Sequence, residues 1–116
     1  MNWLRVLALV WCAAASVPAQ AHAFLDHAQP RVGATVAAAP ARLTLTFTER
    51  IEAAFSTVKV TDAQGKRVDK GDVQVKGALM QVSLAAIGAG DYTVTWRVVS
   101  TDTHVTQGDY VFHVAR

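Results

Sequence analysis

Hydrophobic and polar side chains alternate along most of the chain after residue 22. The most regular stretch is residues 92–99, where Tyr92, Val94, Trp96 and Val98 fall on one face and mostly polar residues on the other. A period of two is typical of a β-strand that buries one face. By the same criterion, further strands are predicted over Arg42–Thr48, Phe55–Thr61, Val73–Val75, Leu79–Leu84 and Tyr110–Val114.

Between these segments lie residues that favour turns. Asp62–Gly65 and Gly88–Asp91 are predicted turns, and Gly77 is the predicted centre of a hairpin. Ala34–Ala41 contains Pro40 and is predicted to be a loop or edge segment. About seven short strands separated by turns, with no helical period, indicate an all-β domain, either a β-sandwich or a Greek-key barrel.

The first 21 residues have the composition of a secretory signal peptide rather than of a folded element. Met1–Arg5 is a basic start, Val6–Ala15 is apolar, and Ser16–Ala21 is a polar stretch of small residues. The apolar stretch is too short for a membrane-spanning helix, which needs about 20 residues. We therefore expect residues 1–21 to be a cleaved leader and residues 22–116 to be one domain.

Two cleavage positions fit the small-residue rule. Ala19-Gln20-Ala21 predicts a cut after Ala21, and Ala21-His22-Ala23 predicts a cut after Ala23, which would remove His22. We favour the first position because Pro18 stands just ahead of it.

Charge and cysteine content bear on the possible partners and ligands. The chain has a net charge of +2, one unit of which leaves with Arg5, and its basic residues are not interleaved with aromatics. Nucleic acid is therefore not an expected partner. Cys12 lies in the predicted leader, so the mature chain would have neither a disulfide nor a thiolate ligand. No long apolar run follows the leader, which indicates an exported, periplasmic domain without a membrane span.

A carboxylate and an imidazole stand two residues apart at Asp102 and His104. In an extended segment this spacing sends both side chains to the same side of the backbone. The predicted loop Ser100–Val105 joins the two longest strands, and loops on a rigid sandwich are suitable places for binding residues. The alternative is that Asp102 is only a turn residue and His104 a solvated loop histidine.

His22 would be the first residue after cleavage at Ala21. Its presence favours a metal site over the alternative in which Asp102 and His104 are ordinary loop residues. An amino-terminal histidine can chelate one cation through its α-amine, whose pKa is usually about 7.7–8.0, and its Nδ1. With the His104 imidazole and an Asp102 oxygen, the set becomes three nitrogens and one oxygen. A tetragonal set of this kind suits Cu(II), whereas zinc would prefer a tetrahedral arrangement of similar ligands.

Several motifs together resemble the CopC copper-resistance domain. They are His22-Ala23-Phe24-Leu25 with Pro30 and Gly33, the strand end Phe47-Thr48-Glu49, and the segment from Tyr92 that ends in the pattern W-R-x-x-S-x-D-x-H at His104. The resemblance covers essentially the whole of residues 22–116. It implies a cupredoxin-like Greek-key β-barrel and a periplasmic copper carrier, with one Cu(II) bound by His22, Asp102 and His104.

The resemblance also bears on residues around that site. Glu49 matches an acidic residue of the family near the metal, and we expect it to orient a ligand imidazole. His27 is a candidate extra ligand because it lies close to the mature amino terminus. Some family members carry a Cu(I) site rich in methionine, but Met80 is the one methionine after the leader. We therefore expect no Cu(I) site, and a separate copper-transporting membrane protein is the candidate partner.

Two other functions remain open at this stage. An amino-terminal histidine with a second imidazole is also the copper brace of oxidative polysaccharide-cleaving enzymes. Asp102 would then occupy a position that such chemistry leaves open, and Trp96 is the one tryptophan after the leader, so we predict binding without enzymatic turnover. The other alternative is an immunoglobulin-like interaction module without a metal.

Overall fold

The computed structural model describes residues 22–116 and is built from β-strands. The predicted leader, with Cys12 and the cleavage position, lies outside the described residues. Residues 22–116 contain no apolar helix of the length that crossing a bilayer requires. The strands are β1 (Leu25–Gln29), β2 (Thr35–Val36), β3 (Arg42–Phe47), β4 (Thr57–Thr61), β5 (Gln74–Lys76), β6 (Leu79–Ser83), β7 (Gly90–Val99) and β8 (Val105–Val114).

The strands form two four-stranded sheets that pack as a sandwich. One sheet has the order β1-β3-β6-β5 and the other the order β2-β8-β7-β4. Neighbouring strands are antiparallel except β2, which pairs with β8 in parallel at the sheet edge. The all-β sandwich prediction is confirmed, although the two sheets do not close into a barrel.

The core lies between the sheets, as the alternating pattern predicts. The ring of Phe47, on β3, meets the indole of Trp96, on β7, edge to face with 5.2 Å between centroids. Met80 is fully buried on β6, as expected for a core methionine, and His113 is half-buried on β8. Burial of the remaining apolar side chains supplies most of the folding free energy; they include Leu43, Leu45, Val58, Val60, Val82, Val94, Val98, Tyr110 and Phe112.

The predicted start of the last strand was wrong. We expected the last strand to start at Tyr110, after Gly108 and Asp109, but β8 begins at Val105 and pairs with β7 along its whole length. Gly108 faces Trp96 in this pairing, and a Cβ at Gly108 would lie 2.8 Å from Cζ2 of the indole. The glycine is therefore explained by packing rather than by a turn.

Two other boundaries also differ from the prediction. The strand expected over Phe55–Thr61 starts at Thr57, because Ala53–Phe55 forms a short 3-10 turn. β1 was not predicted, and its pairing with β3 shifts between Leu25 and His27. This β-bulge interrupts the alternation by which a strand is found in the sequence.

Candidate metal centre

The β7–β8 connection is a tight hairpin loop. The Thr103 amide donates to the Ser100 carbonyl at 2.9 Å, and the Ser100 amide donates to the His104 carbonyl at 2.9 Å. Thr103 has a φ of 73°, in the left-handed region. These are the features of a three-residue hairpin loop that ends in a left-handed residue. The predicted loop is therefore shorter than expected and stops at His104.

This loop brings the carboxylate and the imidazole together. Nδ1 of His104 lies 3.1 Å from Oδ2 of Asp102, and the hydroxyl of Ser100 donates to the other oxygen, Oδ1. The hydrogen bonds from Ser100 and then from His104 hold the pKa of Asp102 below its usual value. The carboxylate is consequently an ionised oxygen acceptor at neutral pH.

The amino-terminal segment brings His22 to the same end of the sandwich. The His22 and His104 rings are tilted at 40° with centroids 4.6 Å apart, and the ring of Phe24 lies 5.7 Å from His22 on centroids. Within residues 22–116, however, no three His, Cys, Asp or Glu side chains are arranged to hold a metal ion. The arrangement is a pair of neighbouring imidazoles, one of which contacts a carboxylate.

Two threonines hold the segment that carries His22. Thr48, just after β3, bonds the backbone of residues 22 and 24, and Thr106, on β8, donates to the Ala23 carbonyl at 2.6 Å. Sequence reasoning did not assign either threonine a role. No local pattern connects them, because they come from different sheets and meet only when the sandwich is formed.

The other predicted residues are placed differently. Glu49 is exposed, in a segment that runs beside the loop, where the Thr101 amide donates to the Arg50 carbonyl at 3.1 Å. His27 is exposed on β1, and its Nδ1 lies 3.1 Å from Oδ2 of the adjacent Asp26. The described contacts thus group His22, Asp102 and His104, place the segment of Glu49 next to them, and pair His27 with its own neighbour.

Comparison with known proteins places the domain in a family. The family model of the CopC domain matches residues 25–115. Protein YobA of Escherichia coli K12 is 39% identical over 98 residues, which are 81% of this chain and 79% of YobA. The match therefore covers nearly all of the described domain.

Two solved structures share the fold. The crystal structure of CopC from Methylosinus trichosporium OB3b superposes with a TM-score of 0.73 and 35% identity, covering 81% of this chain and 94% of that protein. PcoC from Escherichia coli, a methionine-rich copper resistance protein, superposes with a TM-score of 0.71 and 33% identity, covering 81% and 99%. The chain belongs to the CopC domain family, whose members include copper resistance proteins.

Proposed function

We propose that the mature chain is an exported copper carrier that binds one Cu(II) through His22, Asp102 and His104. The observation that supports this proposal is the 4.6 Å separation of the His22 and His104 ring centroids. These residues lie at opposite ends of the domain sequence, and the imidazole of His104 contacts the carboxylate of Asp102 at 3.1 Å. Two imidazoles and one carboxylate are thus neighbours at one end of the sandwich, and binding one ion would require them to turn their donor atoms toward it.

The α-amine of His22 is the donor that completes the set. In the full-length chain this nitrogen belongs to the peptide bond with Ala21, so it cannot bind a metal as an amine. Cleavage after Ala21 would release it next to the His22 imidazole, where both can close a chelate ring. We infer that the side chains alone are insufficient and that export and cleavage produce the competent site.

Cu(II) is the ion that this donor set favours. Nitrogen ligands with one carboxylate oxygen suit a tetragonal Cu(II) ion, whereas Cu(I) prefers soft thioether ligands. PcoC is described as methionine-rich, but in residues 22–116 Met80 is the one methionine and it is fully buried. We therefore propose one Cu(II) site and no Cu(I) site in this chain.

The role that follows is binding and transfer rather than turnover. Asp102 would occupy a position around Cu(II) that an oxidising enzyme keeps open for oxygen or substrate. We propose that the carrier buffers copper in the periplasm or passes it to a separate copper-transporting membrane protein. Copper with ascorbate should therefore produce no sustained oxygen consumption in an oxygen-electrode assay.

Native mass spectrometry of the protein exported through its own leader tests the site directly. We expect a chain that begins at His22 and carries one Cu(II). His104→Ala should lose most of the affinity and Asp102→Ala somewhat less, because the second change removes one oxygen rather than a strong nitrogen donor. A chain that begins at Phe24, or wild-type affinity in both variants, would contradict the proposal.

His113→Ala is the matched control. His113 Nδ1 lies 2.6 Å from Oδ1 of Asp91, so it is another imidazole paired with a carboxylate. Asp91 lies near the start of β7, at the end of the strand opposite the Asp102 loop. Removing His113 should leave copper binding unchanged.

The amine is tested by a chain that retains Ala21 before His22. The side chains of the site are then intact, but the chelating amine has moved one residue away. We expect a large loss of affinity and a changed Cu(II) electron paramagnetic resonance spectrum. Equal affinity and an identical spectrum would show that the amine is not a ligand.

A further inference from the structure

Hydrogen bonds fix the segment His22–Phe24 to both sheets. Ala23 is fully buried although the residues on both sides of it are accessible. A buried backbone needs partners for its polar groups. Those partners include a side-chain hydroxyl from one strand end of each sheet.

Thr48, just after β3 in the first sheet, bonds polar backbone groups of His22 and Phe24. Its hydroxyl accepts from the Phe24 amide at 2.9 Å and donates to the His22 carbonyl at 3.1 Å. Its own amide donates to the Phe24 carbonyl at 2.8 Å. One side chain therefore spans the residues before and after Ala23.

Thr106, on β8 in the second sheet, bonds the backbone of Ala23. Its hydroxyl donates to the Ala23 carbonyl at 2.6 Å, and Thr106 pairs with Val98 on the hairpin that ends in the Asp102 loop. The position of Ala23 is thus tied to the same strand pair that carries His104. All these bonds involve atoms from the His22 carbonyl onward, so cleavage before His22 leaves them intact.

We propose that Thr48 and Thr106 are positioning residues that present His22 to copper, an inference that rests on the proposed function. An amino terminus is ordinarily mobile, and a mobile ligand must lose conformational freedom when it binds a metal. The two hydroxyls impose this order before copper arrives. They therefore raise the affinity without contacting the ion.

The test uses Thr48→Val and Thr106→Val, which keep the shape of the side chain and remove the hydroxyl. Each should weaken Cu(II) binding by about fivefold or more and the double variant by about 25-fold or more, since Thr106→Val removes one hydrogen bond and Thr48→Val removes two. Thr48→Ser and Thr106→Ser retain the hydroxyl and should restore binding. Thr46→Val, on β3, is the control and should bind copper like wild type.

A copper-free measurement accompanies the titration. In Thr48→Val the Phe24 amide loses its acceptor, so its hydrogen exchange should become faster while core amides of β7 stay protected. A merely structural role would lower the melting temperature without a selective change at Phe24 or in copper affinity. That result, or wild-type copper affinity in the double variant, would overturn the positioning role.

The outcomes separate this inference from the proposed function. If His104→Ala loses copper while the double valine variant binds normally, the positioning role fails and the copper site stands. If the wild-type protein starting at His22 takes up no copper, the proposed function fails and the positioning role for copper fails with it. The Phe24 exchange would still report whether the hydroxyls hold the segment.

Discussion

The hydroxyl of Ser100 donates a hydrogen bond to Oδ1 of Asp102, two residues along the same loop. Ser100 is 1% exposed, and its oxygen also accepts from the His104 amide at 3.2 Å. One hydroxyl therefore connects the carboxylate of the candidate site with the backbone that carries its imidazole. The same bond is the first cause of the low pKa of Asp102.

Ser100→Ala should disturb both properties. Without the hydroxyl, the pKa of Asp102 should rise toward its ordinary value and Cu(II) affinity should fall about threefold to tenfold, in keeping with the loss of one or two hydrogen bonds. An NMR titration of the Asp102 carboxyl group and a competition titration with Cu(II) measure the two effects.

Ser56→Ala is the matched control for Ser100→Ala. Ser56 is also buried, at 6% exposed, and its oxygen accepts from the Val99 amide at 3.2 Å. It should cost stability without changing the pKa of Asp102 or the affinity for copper. Equal copper affinities in the two serine variants would argue against a role of Ser100 in the site.

The sequence predicted the fold well where packing leaves a periodic pattern. β3 and β7 bury every second residue, so their alternation is complete and their positions were found. The start of β8 was predicted five residues too late because glycine commonly interrupts strands, whereas at Gly108 the indole of Trp96 occupies the space of a Cβ. A glycine selected by a neighbouring strand cannot be recognised from its own surroundings in sequence.

The candidate site was predictable only in part, and for a different reason. Asp102 and His104 lie close in sequence, and the leader singled out His22, so these residues could be named. The residues that hold the His22 segment could not be named, because Thr48 and Thr106 reach it from different sheets. Whether the three named residues bind copper stays a prediction, which the variants above test.

Asp69 is expected to stabilise the edge of the second sheet. Its side chain is fully buried and bonds Nε of Arg67 at 2.9 Å, the Val60 amide at 2.8 Å and the Gly71 amide at 3.1 Å. Asp69→Asn would place amide hydrogens against these donors. We expect it to lower the free energy of unfolding by roughly 2–3 kcal/mol, less than for a fully buried ion pair because Arg67 is half exposed. Urea denaturation measures the loss.

The Asp69 contribution should depend on pH with a definite sign. Burial alone would raise the pKa of Asp69, but the hydrogen bonds from Arg67 and the backbone amides outweigh it and lower the pKa. The stabilisation is therefore complete above the unfolded value of about 3.9 and is lost as the pH falls through the lower folded pKa. The gap between wild type and Asp69→Asn should narrow in that acid range. Asp72→Asn, at an exposed carboxylate, should cost less, and an equal loss would contradict the assignment.

Gly108→Ala should destabilise the sandwich. The added Cβ would lie 2.8 Å from the Trp96 indole, which is itself packed against Phe47, so the ring must shift. We expect a loss of about 1–3 kcal/mol and a changed Trp96 fluorescence spectrum. Gly88→Ala is the control, because no atom lies within 4 Å of its added Cβ. A loss in the control as large as in Gly108→Ala would show that the contact with Trp96 is not the cause, because the change from glycine to alanine by itself lowers the entropy of the unfolded chain and stabilises the fold.

Thr103 is a β-branched residue in a left-handed conformation, with a φ of 73°. This conformation crowds the Cβ against the backbone and costs about 1–2 kcal/mol for most residues, but less for asparagine. Thr103→Asn should therefore raise the free energy of unfolding by about 0.5–1 kcal/mol, or the melting temperature by roughly 3–6 °C for a domain of this size. Thr101→Asn, in the same loop, is the control and should give no such gain, because among the described non-glycine residues Thr103 alone has a positive φ. Copper affinity should be unchanged in both variants, since the loop keeps its shape. A lower melting temperature in Thr103→Asn would show that the threonine contributes more through its contacts than its conformation costs.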